Sequence, residues 1–429
     1  MSERTLADWL SYLEQLHPTA IDMGLERCRE VARRLGLGRP AKRVITVTGT
    51  NGKGSTCAFL ASLLRRQGLR VGVYSSPHLL RYNERVSIDG VEAGDAQLCA
   101  AFAAVEAARG EISLTYFEMG TLAAFWLFEQ AKLDVAVLEV GLGGRLDAVN
   151  LIDADLALIT SISLDHAEWL GDSRDSVAYE KAGILRPGRP ALCGDLEPPQ
   201  PLIDQVVALA APFFLRGRDY DLRIGDQGWS WRGHDLQGRT LELEGLPLLD
   251  LPMENAALAV QAYALLDLPW NAAEIAAALA AARVTGRLER RRLSWKGKPL
   301  DLLLDVGHNP HAANYLASRL RELPAGRRRL AVFGLLADKD LPGVLAPLLV
   351  QVQDWAVAPL PTPRSRPAVE LEAALRNAGA SVTAYPDVAA ALMAQCERAA
   401  AGDEILLFGS FYCVAEALEW LAGQAGQGG

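Results

Sequence analysis

Apolar residues recur along this chain in two alternating textures: short, nearly unbroken runs, and longer stretches in which they return every three or four positions. Leu6, Trp9, Leu10, Leu13 and Leu16 fall at helical spacing, with Thr5 and Asp8 in capping-box positions, which predicts an opening amphipathic helix. Residues 44–47 read as a short buried strand, followed by a glycine-rich turn and a helix over 57–67 that Gly68 ends. A strand at 70–74, a helix through 121–131, a strand at 134–140, a second glycine-rich turn at 141–145 and a strand at 156–163 continue the alternation. Continuous apolar strands separated by helices predict a mainly parallel sheet covered on both faces.

The texture changes over residues 218–245, where short alternating runs with glycines predict antiparallel hairpins that decorate the first domain, and helices at 254–266 and 271–282 follow. The basic, glycine-bearing stretch 284–299 then interrupts the periodicity. Beyond it, strands at 301–306, 329–334, 354–359, 381–385 and 404–409 alternate with helices at 311–320, 345–350, 369–377, 388–398 and 414–421. The expected division is a first domain over 1–285, a linker over 286–298 and a smaller domain over 299–429, with a frayed glycine-rich tail.

Composition narrows the class. At about 150 residues per domain, 429 residues make two large or three ordinary domains. Half the residues are hydrophobic and 22% are charged, which excludes disorder as the main character. The formal net charge of −9 offers no general attraction to nucleic acid or anionic lipid, so an anionic ligand needs a local site. Cysteines 28, 57, 99, 193, 396 and 413 are scattered without paired spacing and read as reduced core residues. The charged N-terminus is unlike a signal peptide, and the apolar stretch 119–128 is too short to span a bilayer; a cytoplasmic protein is expected.

The chemistry concentrates first in Thr48-Gly49-Thr50-Asn51-Gly52-Lys53-Gly54-Ser55-Thr56, between a buried strand and a helix. Backbone amides and a helix N-terminus in that place can cradle phosphate oxygens, Lys53 adds a point charge, and Ser55 or Thr56 can reach a magnesium ion. The usual phosphate-loop pattern has Gly six residues before the lysine and Ser or Thr directly after it; Val47 and Gly54 stand there instead. Glu139 lies where an apolar strand gives way to a glycine turn, a place for a magnesium-binding carboxylate or for an ordinary strand-ending polar residue. His166 also follows a strand. Lys181, read alone, is a solvated helix charge.

The variant loop resembles the ATP loop of the Mur ligase superfamily. Further segments resemble its folylpolyglutamate synthase branch in order, and within it the bacterial bifunctional dihydrofolate synthase/folylpolyglutamate synthases. These segments are residues 21–27 (IDMGLER), 74–79 (YSSPHL), 82–86 (YNERV), 115–118 (TYFE), 139–148 (EVGLGGRLDA), 165–166 (DH), 181–184 (KAGI), 286–287 (GR) and 305–310 (DVGHNP). The likeness covers nearly the whole chain. It implies an α/β fold with a P-loop-type, mainly parallel-sheet ATPase domain followed by a smaller Rossmann-like domain.

The resemblance also implies roles. Thr50, Asn51, Gly52, Lys53, Gly54, Ser55, Asn255, Arg287 and Asp305 would hold ATP. Ser76, Glu139 and His166, with Ser55, would hold magnesium, expected as two ions, and a carbamylated Lys181 would help. His308, Ser410 and Arg85 would lie near incoming L-glutamate. Asp22, Thr115, Tyr116, Phe117, Glu118, Leu146, Asp147 and Ala148 would lie near a pterin-bearing acceptor. The catalytic set is Lys53, His166, Lys181 and His308. The activity implied is ATP-dependent addition of L-glutamate to dihydropteroate and to reduced folates through an acyl phosphate, by a monomer. A monofunctional folylpolyglutamate synthase and a non-enzymatic nucleotide switch are the alternatives.

Overall fold

A computed structural model of the chain describes residues 4–321 and 328–425, which divide into two compact units, residues 4–283 and 284–425. The glycine-rich tail from residue 426 lies outside the described residues.

The first unit is built on an eight-stranded sheet of β1 (Ala41–Thr48), β2 (Val71–Tyr74), β3 (Val86–Ile88), β4 (Val91–Glu92), β5 (Leu133–Glu139), β6 (Leu156–Ile159), β7 (Ala191–Cys193) and β8 (Phe213–Leu215). Its order is β4-β3-β2-β5-β1-β6-β7-β8, and from β2 to β8 all pairs are parallel. The helices are α1 (Leu6–Leu13), α2 (Glu26–Leu35), α3 (Lys53–Arg66), α4 (Asp95–Arg109), α5 (Tyr116–Ala131), α6 (Ala167–Leu170), α7 (Arg174–Ala182), α8 (Gln200–Ala208), α9 (Met253–Ala264) and α10 (Ala272–Ala281). The capping box expected at the start is present: Asp8 N–H donates to Thr5 Oγ1 at 3.2 Å, and Thr5 N–H to Asp8 Oδ2 at 3.0 Å. The hairpins expected over 218–245 form a three-stranded antiparallel sheet of β9 (Asp221–Gly225), β10 (Gly228–His234) and β11 (Thr240–Leu246).

Register decides where chemistry can gather. In the sheet Val47 lies opposite Glu139, Thr48 opposite Ile159 and Tyr74 opposite Leu138, so β1, β2, β5 and β6 end at one level. Ligands of open parallel sheets collect at that carboxyl edge.

The second unit holds β12 (Glu289–Trp295), β13 (Lys298–Asp305), β14 (Arg329–Phe333), β15 (Asp354–Val357), β16 (Val382–Ala384) and β17 (Glu404–Phe408) in the order β12-β13-β17-β14-β15-β16, with α11 (Pro310–Arg321), α12 (Leu341–Leu345), α13 (Ala368–Asn377), α14 (Val388–Arg398) and α15 (Phe411–Ala425). Its core closes around Phe333, Trp355 and Phe408, with the Phe333 and Phe408 rings 4.7 Å apart.

Three expectations are corrected. The stretch 286–298 is not a linker: its residues from Glu289 form strand β12, paired antiparallel with β13 from Glu289↔Leu304 to Trp295↔Lys298. Its arginines misled because an edge strand can alternate charge with Leu293 and Trp295 and still pair its backbone. The helix read over 345–350 is α12 at Leu341–Leu345, started by the Asp340 carboxylate accepting from Gly343 N–H and by Pro342 in the first turn. Helix α3 begins at Lys53, four residues earlier than its apolar pattern suggested, because the glycine turn itself starts the helix.

Five cysteines are buried and Cys99 is half-buried, all as free thiols. Among the described residues no helix is long and apolar enough to cross a membrane.

Inside the second unit Arg329 Nε donates to Glu404 Oε2 at 2.7 Å, with both side chains buried, and the more exposed Arg290 lies 3.3 Å from the same carboxylate. Removing one member of a buried pair leaves the other desolvated. Arg329→Met is expected to lower unfolding free energy by about 3 kcal/mol in urea titration; a loss below about 1 kcal/mol would contradict this role.

Candidate active site

The loop between β1 and α3 takes its shape from two glycines. Gly49 has φ +149° and Gly52 φ +88°, conformations that L side chains rarely adopt. A Cβ on Gly49 would collide with the Thr160 hydroxyl, and one on Gly52 would stand 2.6–2.9 Å from the Asn255 amide. The loop backbone is bound to the residues leaving β6. Thr50 N–H donates to Ser161 O at 2.8 Å, Asn51 N–H to Ser161 Oγ at 3.1 Å, Thr160 Oγ1 to Asn51 O at 2.6 Å, and Thr50 Oγ1 to Ser163 O at 2.9 Å. Lys53 opens α3 and folds back, with Nζ 3.0 Å from Gly49 O. Asn255, from α9, donates to Ser55 Oγ at 2.7 Å, and Ser55 Oγ donates to Gly52 O.

Glu139 ends β5, only 5% exposed, and accepts the Ser76 amide at 3.3 Å. A Cβ on Gly54 would lie 3.7 Å from its carboxylate, so this acid faces the first turn of α3. Carboxylate and hydroxyl oxygens beside a phosphate loop match the donor set of magnesium, which keeps few protein ligands and takes the rest from phosphate and water. His166 stands exposed at the start of α6 with φ +52°, its amide donating to Asp165 Oδ1.

Lys181 is 2% exposed on α7. Burial, reinforced by the positive charge of Lys53, brings its ammonium down to about 7, while Asp165 and Asp147 oppose the shift. Its folded-state pKa lies below the unfolded value, so the amine is neutral above about pH 7 and stability rises with pH between that value and the unfolded one. The loop 141–148 joins this lysine to the nucleotide side: Thr48 Oγ1 donates to Gly143 O at 2.6 Å, and Arg145 bonds Glu180 of α7 at 2.8 Å. Asp147 accepts Leu142 N–H and Val149 N–H, and burial pushes its carboxyl up to about 6.

The residues expected near the acceptor form one neighbourhood. Arg27 Nη1 donates to Asp22 Oδ2 at 2.6 Å and Nη2 to Glu118 Oε1 at 2.9 Å. Thr115 caps α5, accepting from Glu118 N–H, while Glu118 Oε2 accepts from Thr115 N–H. Phe117 packs on the backbone of Gly141, near Leu146 and Ala148 in sequence. Arg85 is 9% exposed, donates Nε–H to His78 Nδ1 at 2.8 Å, and lies 5.4 and 5.5 Å from the Tyr82 and Tyr116 rings. His78 therefore carries its proton on Nε2; burial, then the Arg85 charge, lowers its pKa to about 4.

In the second unit Asp305 ends β13 and accepts from Gly307 N–H at 2.7 Å and Leu288 N–H at 3.0 Å. Burial raises its pKa against the opposing charge of Arg287. The Arg287 guanidinium lies 5.3 Å from the Phe411 ring, whose other neighbour is the His308 ring at 6.2 Å. Ser410, 2% exposed, caps α15 by accepting Cys413 N–H at 3.0 Å.

Comparison with known proteins places this geometry. The Mur ligase middle domain matches residues 47–191, and the Mur ligase glutamate ligase domain matches residues 286–411. Dihydrofolate synthase/folylpolyglutamate synthase of Escherichia coli K12 is 47% identical over 96% of this chain and 95% of its own length. The chain belongs to the dihydrofolate synthase/folylpolyglutamate synthase family of Mur ligases. Escherichia coli FolC in complex with DHPP and ADP superposes with TM-score 0.92 at 46% identity, covering 98% of this chain and 99% of the other. A bifunctional folylpolyglutamate synthase/dihydrofolate synthase with Mn, AMPPNP and L-glutamate bound gives TM-score 0.88 at 45% identity, covering 98% of each chain.

As a member of the folylpolyglutamate synthase family, the chain also holds residues near these positions to which sequence reasoning assigned no role. Thr160 and Ser161 brace the phosphate loop, Arg27 joins Asp22 to Glu118, His78 holds Arg85, and Phe411 lies beneath Arg287 and His308. A run of hydroxyl residues directly after an apolar strand was the available signal for Thr160 and Ser161. Gly52→Ala is expected to weaken ADP binding about tenfold or more, measured by calorimetry, since the methyl must displace Asn255 or unwind the loop; unchanged affinity would show that the Gly52 conformation is dispensable.

Proposed function

We propose that this chain is an ATP-dependent ligase that adds L-glutamate to dihydropteroate, forming dihydrofolate, and to the γ-carboxylate of reduced folates, through an acyl phosphate. The observation that carries the reading is the meeting of phosphate loop, Glu139 and Ser76 at one sheet edge, with buried Lys181 within electrostatic reach of Lys53. A nucleotide switch has no use for a desolvated lysine in that place. The names of the family's relatives support both acceptors, and the neighbourhood of Asp22, Arg27 and Glu118 gives the pterin end a polar clamp beside Phe117.

A carboxylate is a poor electrophile. Its oxygen attacks the γ-phosphorus of ATP and ADP leaves; the glutamate amine then attacks the acyl carbon and inorganic phosphate departs. Lys53 and the amides at the start of α3 stabilise charge on the transferring phosphoryl group by position. Ser55, Ser76, Glu139 and His166 would hold magnesium, which when bound neutralises phosphate charge and polarises the transferring group. Asn255 keeps Ser55 in place. Tyr116 and Phe117, with Thr115, Leu146, Asp147 and Ala148, bound the acceptor. Arg85 offers a buried cation to a glutamate carboxylate; ATP contacts are proposed for Arg287 and Asp305, and glutamate contacts for His308 and Ser410.

Lys181 acts as a carbamate. A neutral amine attacks carbon dioxide and loses a proton, turning a cation into a carboxylate that suits a metal site. Burial near Lys53 supplies the neutral amine at neutral pH.

Glutamate-dependent phosphate release with dihydropteroate and with a reduced folate tests the assignment; no turnover with either sinks it. Turnover with the folate alone would leave the monofunctional reading. Lys53→Ala is expected to lose at least about a thousandfold in kcat with an unchanged melting temperature. Enzyme stripped of carbon dioxide is expected to lose activity and regain it with bicarbonate, more completely above than below about pH 7. Indifference to carbon dioxide would remove the carbamate.

A further inference from the structure

We propose that Glu84 is a positioning residue for the reaction, fixing residues 75–81 so that Ser76 stays against Glu139 and His78 against Arg85. The roles of Ser76 and Arg85 in this inference rest on the functional reading above.

The segment from Ser75 to Arg81 has little apolar burial to hold it. Pro77, Leu80 and Arg81 are exposed, and Leu80 keeps 42% of its surface. It is held instead by polar bonds, three of which converge on one side chain. Glu84 Oε2 accepts from Leu79 N–H, and Oε1 from both Leu80 N–H and Arg81 N–H, each at 2.7 Å. Three short bonds from consecutive amides to an ionised acceptor are the strong, directional kind.

A glutamate in the third position of a helical turn commonly reaches back to the amide that starts the turn. That accounts for the Arg81 bond alone. The Leu79 and Leu80 amides lie before the turn of residues 82–85, so Glu84 gathers the approaching segment as well as capping the turn.

The two ends of the segment are fixed separately. Ser75 N–H donates to Arg85 O at 2.9 Å, and Ser76 N–H to Glu139 Oε2 at 3.3 Å. Downstream, Tyr82 and Asn83 are buried, and Asn83 Nδ2 donates to Ala93 O at 2.7 Å. Glu139 thus holds the near side of the loop and Glu84 the far side. The residues between them include Ser76, offered to the metal, and His78, bonded to Arg85. Without Glu84 three adjacent amides lose their acceptor, and both residues are free to shift. The phosphate loop, bound to the residues after β6, has no such dependence on Glu84.

The test compares full-length wild type, Glu84→Ala and Glu84→Gln, the last serving if the first does not fold. Amide hydrogen exchange at Leu79, Leu80 and Arg81 is expected to accelerate about tenfold or more in the alanine variant. Affinity for ADP measured without metal should stay within about twofold, because the phosphate loop is intact. The magnesium concentration for half-maximal rate and KM for glutamate should rise, and kcat/KM should fall about tenfold to a hundredfold. Glu84→Gln, keeping one carbonyl oxygen but facing an amide with an NH₂ group, should fall between. An active wild type matched by equally active variants, or unchanged exchange at the three amides, overturns the proposal. A wild type without glutamate-dependent phosphate release refutes the functional reading instead, and the exchange comparison still judges the anchoring.

Discussion

The turn between β1 and α3 is bound to the residues that leave β6, through Thr160, Ser161 and Ser163. The amides that open α3 have no acceptor within the helix, as at any helix start, so this arrangement presents donors and a partial positive charge. Everything else at the sheet edge is placed relative to that presentation. Glu139 comes up from β5 opposite Val47, Ser76 follows β2, and the loop 141–148 is tied back to Thr48. Two left-handed glycines make the turn possible, and the β6 segment makes it single-valued. A loop of the same composition without Thr160 and Ser161 would have the glycines' freedom without the constraint that makes it useful.

Charge is handled by the same logic. The chain is acidic overall, yet its candidate ligands are anions, so its useful cations are concentrated and desolvated. Arg85 is buried against His78 and two aromatic rings, and Lys181 is buried within the field of Lys53. Burying a cation near another cation is unfavourable for folding. The cost is eased when the lysine is neutral. Positive charge gathered at Lys53 and Arg85 favours an incoming phosphate or carboxylate, although the chain as a whole carries a net charge of −9.

The sequence disclosed the alternation of strands and helices and most of their positions, because continuous apolar runs and 3.6-residue spacing reflect burial directly. It was least reliable where polar chemistry starts or stops an element. Lys53 belongs to α3 because a glycine starts that helix, and Asp340 with Pro342 moves α12 ahead of its apolar stretch. The arginine-rich strand β12 read as a linker, since an edge strand needs only one apolar face. Within the site, residues carried by short distinctive strings were legible. The supporting roles were not: Arg27, His78 and Glu84 lie within those strings, but they and Thr160 act through side-chain and backbone hydrogen bonds that neither string nor periodicity records.

Several site residues also serve as caps, and this limits how any one of them can be interpreted. Thr115 and Glu118 start α5, Asp147 holds the turn at 142–149, Asp305 binds one amide just before β12 and one just after β13, and Ser410 starts α15. Caps belong at the ends of strands and helices, and in an open α/β sheet those ends are where ligands bind. Loss of activity on replacing such a residue therefore combines loss of a ligand contact with loss of loop shape. Lys53 and Lys181 differ, since neither starts its helix through its side chain. For the capping residues, the informative comparison is between substitutions that keep the acceptor oxygen and those that remove it. If function follows the oxygen bound to the backbone, the residue shapes the site; if function falls while that bond survives, the residue meets the ligand itself.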